Sequence, residues 1–328
     1  MKRQSVGLVV AVAAVILLVA GVTKVESASS FPEKGRFITV IVPFGAGGAG
    51  DIGARILAAS LEKELGVPVQ IVNRPGAAAQ VGTTALVNSK PDGYTLGMTH
   101  LPATINIYLE PDRKATFGRK DLQPVALQVV DPYIVTVKTD SPHKSLKDLI
   151  DAAKSASKGI TVGDSGLMGG DHLTVLRLGQ LGGVKFQSVH FNSGQESLTA
   201  LLGGHVDALA TTAGQVLSPV KGGQVRVLAI MDKQDSPYYP GVQTAVVQGY
   251  DVSLAASRGV SAPAGTPKEI LNALSAAIKK AMETKEHKAK MVDQGLVQLY
   301  MDPAQFEAYW SEVENLVKPL LDAAKKGL

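Results

Sequence analysis

Over residues 37–44 the chain reads FITVIVPF, β-branched and almost unbroken in its apolar character. That predicts a strand covered on both faces, as in a parallel sheet. It runs straight into Gly45-Ala46-Gly47-Gly48-Ala49-Gly50-Asp51, after which Ile52, Ile56, Leu57, Leu61 and Leu65 recur at helical spacing until Gly66 and Pro68 end the run. The opening unit is therefore strand, glycine loop, helix. Residues 67–72 predict a second strand, closed by Asn73-Arg74-Pro75-Gly76, and residues 94–99 a third after the turn Pro91-Asp92-Gly93. This alternation predicts an α/β layered domain with a mostly parallel sheet.

A second series follows, with short strands expected over 125–130, 133–137, 160–162, 186–191, 208–211 and 225–230 and helices between several of them. Ser145 with Asp148, Ser193 with Glu196, Thr266 with Glu269 and Asp302 with Gln305 have the spacing of a capping box. Pro267 and Pro303 are placed for the first helical position of two closing helices, over 267–284 and 303–326. No linker, repeat or low-complexity tract marks a domain boundary.

The N-terminal segment has a different pattern. Lys2 and Arg3 precede an apolar and glycine run over 6–22 and then a polar stretch of small residues over 23–30, the order of an export signal cleaved near 27–30. The competing reading is an uncleaved N-terminal anchor. The chain of 328 residues carries 33 Lys plus Arg against 29 Asp plus Glu, a formal charge of +4. Lys2, Arg3, Lys24 and Glu26 account for +2 of it, so the exported part is nearly neutral and too weakly basic to be a nucleic-acid binder. There are no cysteines, which excludes a disulfide framework, a thiolate metal site, a cysteine nucleophile and a lipid-anchored cysteine. The six histidines include no pair at the i, i+4 spacing of a helical zinc site, so no metal and no cofactor is expected.

The loop over 43–51 is the most informative stretch. Its glycines let backbone approach a ligand closely, and the helix that follows presents unpaired N–H groups and a partial positive charge. One such helix end contributes about 0.3–1 kcal/mol toward an anion, so at least two would be needed. A nucleotide is disfavoured, because Asp51 stands where a phosphate loop needs Lys-Ser or Lys-Thr and a lone G-x-G-x-x-G match is weak evidence. Asp51 is expected either to N-cap its helix or to support a ligand through the loop. A second glycine turn, Gly163 to Asp171, repeats the arrangement. Ser165 is read there as a donor to a carboxylate, and with His172 it also suggests an exported hydrolase, although Leu167 breaks the G-x-S-x-G elbow. Asn192 and Gly194, at the next strand end, are free to face a cleft, and Arg258 is a candidate fork for a second carboxylate, with a salt bridge as the alternative.

Together the segments ITVIVPFGAGGAGDIGARILA (38–58), VQIVNRPGAAAQVGT (69–83), PDGYTL (91–96), LLGGHVDAL (201–209), VRVLAI (225–230) and APAGTPKEI (262–270) resemble the substrate-binding proteins of tripartite tricarboxylate transporters, the TctC or Bug family. The resemblance implies a two-lobed type II periplasmic binding-protein fold, each lobe a doubly wound mixed or parallel sheet with flanking helices. The lobes would be 30–130 plus 257–328 and 131–256, after a signal peptide over 1–29. It implies a periplasmic, monomeric, non-enzymatic protein that captures a small di- or tricarboxylate between the lobes and delivers it to a membrane permease; a receptor feeding a signalling partner would share these features. The implied ligand-binding residues are Phe44, Ala46, Gly47, Gly48, Asp51 and Thr99 in the first lobe, and Ser165, Gly170, Asp171, Asn192 and Thr212, with Arg258 at the crossing.

Overall fold

The computed structural model describes residues 31–155 and 159–327; the expected leader, 1–29, lies outside them. β1 (Ile38–Val42), α1 (Ala49–Leu65), β2 (Val69–Asn73), α2 (Gln80–Val87) and β3 (Thr95–Leu101) supply the expected alternation. β2 and β3 flank β1 in parallel, with Ile38 opposite Val69 and Val40 opposite Leu96. Four of the five β1 residues are buried, as the near-continuous apolar run requires. α1 turns Leu57 and Leu61 onto this sheet and stops at Gly66, whose φ of 69° is the left-handed conformation that glycine adopts without strain.

The short α3 (Ala103–Leu109) leads to β4 (Leu122–Lys138), and here the expectation of two separate strands is corrected. β4 is one strand of 17 residues that runs through Asp131-Pro132. Pro132 has no N–H to give the ladder, yet its neighbours carry the pairing. Tyr133 N–H donates to the Leu254 carbonyl (3.0 Å), and the Tyr133 carbonyl accepts from Met231 (2.8 Å). Its buried positions are nearly continuous because it is central to everything around it.

Beyond β4 come α4 (Leu146–Ser155), β5 (Thr161–Asp164), α5 (Gly170–Gly182), β6 (Gln187–His190), α6 (Gly194–Leu202), β7 (Ala208–Thr212), α7 (Ala213–Lys221) and β8 (Val225–Ile230). The chain returns through β9 (Ala255–Pro263), α8 (Lys268–Glu283), α9 (Lys285–Asp293), β10 (Gln298–Met301) and α10 (Pro303–Gly327). The sheet order is β2-β1-β3-β9-β4-β7-β5-β6, with β8 and β10 also paired to β4. β9 is antiparallel to β3 and to the first part of β4, as far as Pro132 opposite Ala255. From Tyr133 onward β4 pairs instead with β7 and β8. Two half-sheets thus share one strand, and the ends of β1, β3, β5, β6 and β7 face each other where they meet.

Two capping boxes form in full and a third, at Ser193, in half, since the Glu196 carboxylate takes the N–H of Asn192 instead. Asp148 N–H donates to Ser145 Oγ (3.1 Å) while Ser145 N–H donates to Asp148 Oδ2 (3.0 Å), Glu196 N–H donates to Ser193 Oγ (3.2 Å), and Asp302 and Gln305 exchange bonds of 3.1 and 2.9 Å. The fourth does not. Thr266 turns its hydroxyl back to the Pro263 carbonyl (2.9 Å) and its N–H to Gln123 Oε1 (2.9 Å), leaving Pro267 as the residue before α8.

Candidate functional site

A cavity of about 70 Å³ lies where the half-sheets meet. Its wall is built from the first turns of four helices: Gly48, Ala49 and Gly50 of α1, Gly170 and Asp171 of α5, Gly194 of α6, and Gln215 of α7. Each of these helices leaves its opening N–H groups without an intrahelical acceptor and adds a partial positive charge. Each begins at a strand end, since β1, β5, β6 and β7 all run toward this point. Phe44, His100, Tyr133, Ser165, Thr211, Thr212 and Arg258 complete the lining.

The two glycine loops are held by acids that fold back on them. Asp51 is not an N-cap; Gly48 holds that position, in an extended conformation. The Asp51 carboxylate, 3% exposed, accepts from Gly47 N–H (2.9 Å), Arg55 Nε (3.0 Å) and Asn73 Nδ2 (2.9 Å). Burial pushes its pKa up, but the bonds from Arg55, Gly47 and Asn73 outweigh that and hold it below the ordinary value. In the second loop Asp171 accepts from Ser165 N–H (2.7 Å) and His172 N–H (3.0 Å). No salt bridge reaches it among the described residues, and burial together with the charge of Asp164 raises its pKa to about 7.

Across the cavity the walls touch. Ala49 N–H donates to Gln215 Oε1 (2.8 Å), and Gly45 N–H to the Asn192 carbonyl (3.3 Å). Arg258 is 5% exposed and gives Nη1 to Asp131 Oδ2 (3.0 Å) and Nη2 to Thr212 Oγ1 (3.1 Å). Its salt bridge is thus present, with one bond from each Nη. His100, from β3, is 6% exposed and stacked on Phe44 with ring centroids 4.8 Å apart. Burial, followed by the charge of Arg258, lowers its pKa to about 3, so the ring is neutral.

Of the residues expected from sequence, Phe44, Gly48, Asp51, Ser165, Gly170, Asp171, Thr212 and Arg258 line the cavity. Four do not. Ala46 is exposed at the loop tip, and Gly47 uses its N–H on Asp51. Asn192 is also exposed, its carbonyl meeting Gly45 and its N–H meeting Glu196 Oε2 (3.1 Å). Thr99 points to the opposite face of β3, donating to Ser261 Oγ (2.7 Å). Its neighbour His100 faces the cavity instead, because side chains alternate along a strand. Tyr133, His100 and Gln215 were missed by sequence reasoning. The single signal available was the adjacency of His100 to the expected strand end.

The hydrolase arrangement is not assembled. The Ser165 hydroxyl bears on Asp171, while His172 Nδ1 accepts from Met168 N–H (2.8 Å), and no hydrogen bond joins Ser165 to His172 among the described residues. His172 belongs to a wider groove of about 1,020 Å³ on the outer side of α5, shared with His190. That groove is larger but lacks the converging helix ends, so the site is assigned to the smaller cavity. Asp164, His172 and His190 each offer a ligand atom within 4.8 Å of the others. A metal is poorly served there. His172 already takes an N–H at Nδ1, so the neutral ring carries its proton on Nε2 and has no lone pair to offer, while His190 Nδ1 is bonded to Asp164 Oδ1 (2.7 Å).

Two half-sheets joined by a shared strand, with helix N-termini converging between them, define a two-lobed solute-binding protein. The chain belongs to the family described as "Tripartite tricarboxylate transporter family receptor", whose model matches residues 53–325. Protein BugT of Bordetella pertussis is 30% identical over 302 residues, 91% of this chain and 92% of its own. A TctC solute-binding protein from Polaromonas shares 28% identity at a TM-score of 0.66, over 90% of this chain and all of its own. MatC from Rhodopseudomonas palustris, solved with bound malate, shares 27% identity at a TM-score of 0.78, over 90% of this chain and 99% of its own. The fold is that of the periplasmic solute-binding proteins, and no helix among the described residues is long and apolar enough to cross a membrane.

Proposed function

We propose that the protein captures a small carboxylate in the cavity between its lobes and presents it to the membrane permease of a tripartite tricarboxylate transporter. The observation that carries this is the convergence of four helix N-termini on one cavity whose only lining cation among the described residues, Arg258, is already neutralised by Asp131. At about 0.3–1 kcal/mol per helix end, and up to ~2 where partly buried, four ends replace a dedicated cation. The malate found in MatC supports the ligand class. The lobes of this reading are 30–130 with 257–328 and 131–256, joined through β4 and β9. The protein works as a monomer, follows a cleaved export leader, and performs no catalysis.

A thermal-shift screen against mono-, di- and tricarboxylates tests the ligand class. A ligand at 100 times its Kd stabilises the folded form by about 2.7 kcal/mol, which for a chain of this size raises Tm by about 5 °C. No shift with any carboxylate would overturn the reading. Hydrolysis of model esters that disappears in Ser165→Ala would replace it with the hydrolase.

A further inference from the structure

His100 occupies a position that the carboxylate reading does not by itself explain. Its Nε2 is buried and has no hydrogen-bond partner. A polar atom left so costs on the order of 1–3 kcal/mol, and is expected to have a use. The ring is fixed from two sides. It stacks on Phe44 at an interplanar angle of 18°, and in the β3–β9 ladder it lies directly opposite Arg258. It also looks onto the first turn of α1. A Cβ built on Gly50 would sit 2.7 Å from His100 Cε1 and 3.0 Å from Nε2, so glycine at this position is what lets the imidazole edge pack directly against the first turn of α1, with Arg258 Nε at 3.7 Å from the same point.

The charges around that space define what can enter it. Arg258 is matched by Asp131 at 3.0 Å, and His100 is neutral beside them, so this corner has no net charge for a second carboxylate. Of the two other acids in the lining, Asp51 is matched by Arg55 and Asp171 is bonded to the N–H groups of its own loop. The positive potential alongside belongs to the first turn of α1, where Ala49 N–H is taken by Gln215 Oε1 and the Gly50 amide follows it. A neutral imidazole nitrogen either donates or accepts, according to tautomer, and a hydroxyl can answer in both cases, whereas a carboxylate oxygen only accepts.

We propose that His100 is a specificity-determining residue that reads a hydroxyl group next to the bound carboxylate, so that the preferred ligands are small 2-hydroxycarboxylates. This rests on the carboxylate reading above. The carboxylate lies on the N–H groups of α1, and the hydroxyl on the adjacent carbon meets Nε2 of His100. The cavity of about 70 Å³, far below the roughly 300–1,000 Å³ of pockets for drug-sized ligands, matches a small acid. A site built to bond a hydroxyl discriminates strongly against the analogue that lacks it, because the buried partner is then left unpaired.

The test is titration calorimetry with three matched pairs: lactate and propionate, malate and succinate, citrate and tricarballylate. In the wild type, the hydroxylated member of at least one pair is expected to bind tenfold or more tighter. His100→Phe keeps the stacking on Phe44 but removes Nε2, and should bring that ratio to within about twofold of unity. His100→Gln, which restores a polar group, should recover part of it. Melting curves confirm folding, and His100→Gln carries the test if His100→Phe does not fold, a ratio identical to the wild type's at tenfold or more counting against the imidazole. Acids that bind with a ratio near one in the wild type, or a ratio unchanged in His100→Phe, would overturn the role of His100 while leaving the carboxylate reading intact. If none of the six acids binds, both fall together.

Discussion

The two glycine loops are built from the same device and end with opposite proton chemistry. In each, a strand of the parallel sheet runs into glycines, a glycine precedes the helix, and an aspartate in the first turn folds back to accept a loop N–H, from Gly47 at 2.9 Å in one and from Ser165 at 2.7 Å in the other. What separates them is the company of the acid. Asp51 has Arg55 and Asn73 and stays ionised below its ordinary range, whereas Asp171 has Asp164 as its charged neighbour and rises to about 7. A motif therefore fixes backbone geometry without fixing charge. On the proposed reading, the first loop would present the same charge to an anion throughout the neutral range, and the second would become a better cradle when Asp171 takes up a proton.

The largest effect should come from a side chain forced in where the loop glycines let a cavity-wall side chain pack against backbone. A Cβ at Gly170 would collide with the buried Tyr133 hydroxyl, and one at Gly50 would sit 2.7 Å from His100 Cε1. Gly170→Ala is expected to destabilise by about 2–3 kcal/mol, the upper part of the overpacking range, and to weaken carboxylate binding at least a hundredfold. Chemical denaturation and calorimetry read the two quantities. Wild-type stability and affinity in that variant would refute the packing described.

Next in size is the contrast between the acids. Asp51→Asn removes charge-assisted bonds and should cost about 1.5–3 kcal/mol at pH 7. Asp171→Asn should cost less than about 1 kcal/mol there, since the native carboxyl is already partly protonated. Their pH dependences differ in sign. With its pKa raised from 3.8 to about 7, Asp171 holds its proton more tightly when folded, so its stabilising contribution is full below pH 4 and is lost as pH rises to 7. The Asp51 contribution is present above pH 3.8 and is lost only as pH falls below it. Denaturation midpoints at pH 5 and pH 8 should therefore converge in Asp171→Asn relative to wild type but not in Asp51→Asn. Parallel behaviour of the two variants would erase the distinction between the loops.

A smaller effect belongs to the histidine in the wall. The pKa of His100 is depressed to about 3, so its contribution is present above the unfolded value of 6.5 and is lost as pH falls from 6.5 toward 3. His100→Phe should flatten that acid limb of the stability profile.

The smallest effect is expected at Gln215, whose amide oxygen takes the Ala49 N–H across the cleft. Gln215→Ala should cost about 0.5–1.5 kcal/mol and shift the ligand-free protein toward a more open form, visible as a larger radius of gyration in solution scattering. Identical scattering curves would remove Gln215 as a latch.

Much of this was legible in the chain. The β1 run and the helical spacing after Asp51 located the first unit, residues 225–230 were read with the bounds of β8, and of four capping boxes two formed in full and one in half. What escaped is non-local. β4 crosses Asp131-Pro132 because tertiary partners hold Tyr133 in line, overriding the proline signal. Thr99 was chosen over His100 by one position, which in a strand reverses the face. The pairing of His100 with Arg258, the binding of Arg258 to Asp131 and the reach of Gln215 to Ala49 join residues from 127 to 166 positions apart or from separate strands, and no local pattern records them.

The most direct measurement of anion capture by helix ends from both lobes is an amide nitrogen–proton NMR titration of the wild-type protein with malate. The expected result is that the Gly50 amide of α1 and the Gly170 and Gly194 amides of α5 and α6 all move, with one shared apparent Kd. Binding that shifts amides elsewhere, or in one lobe alone, would contradict it.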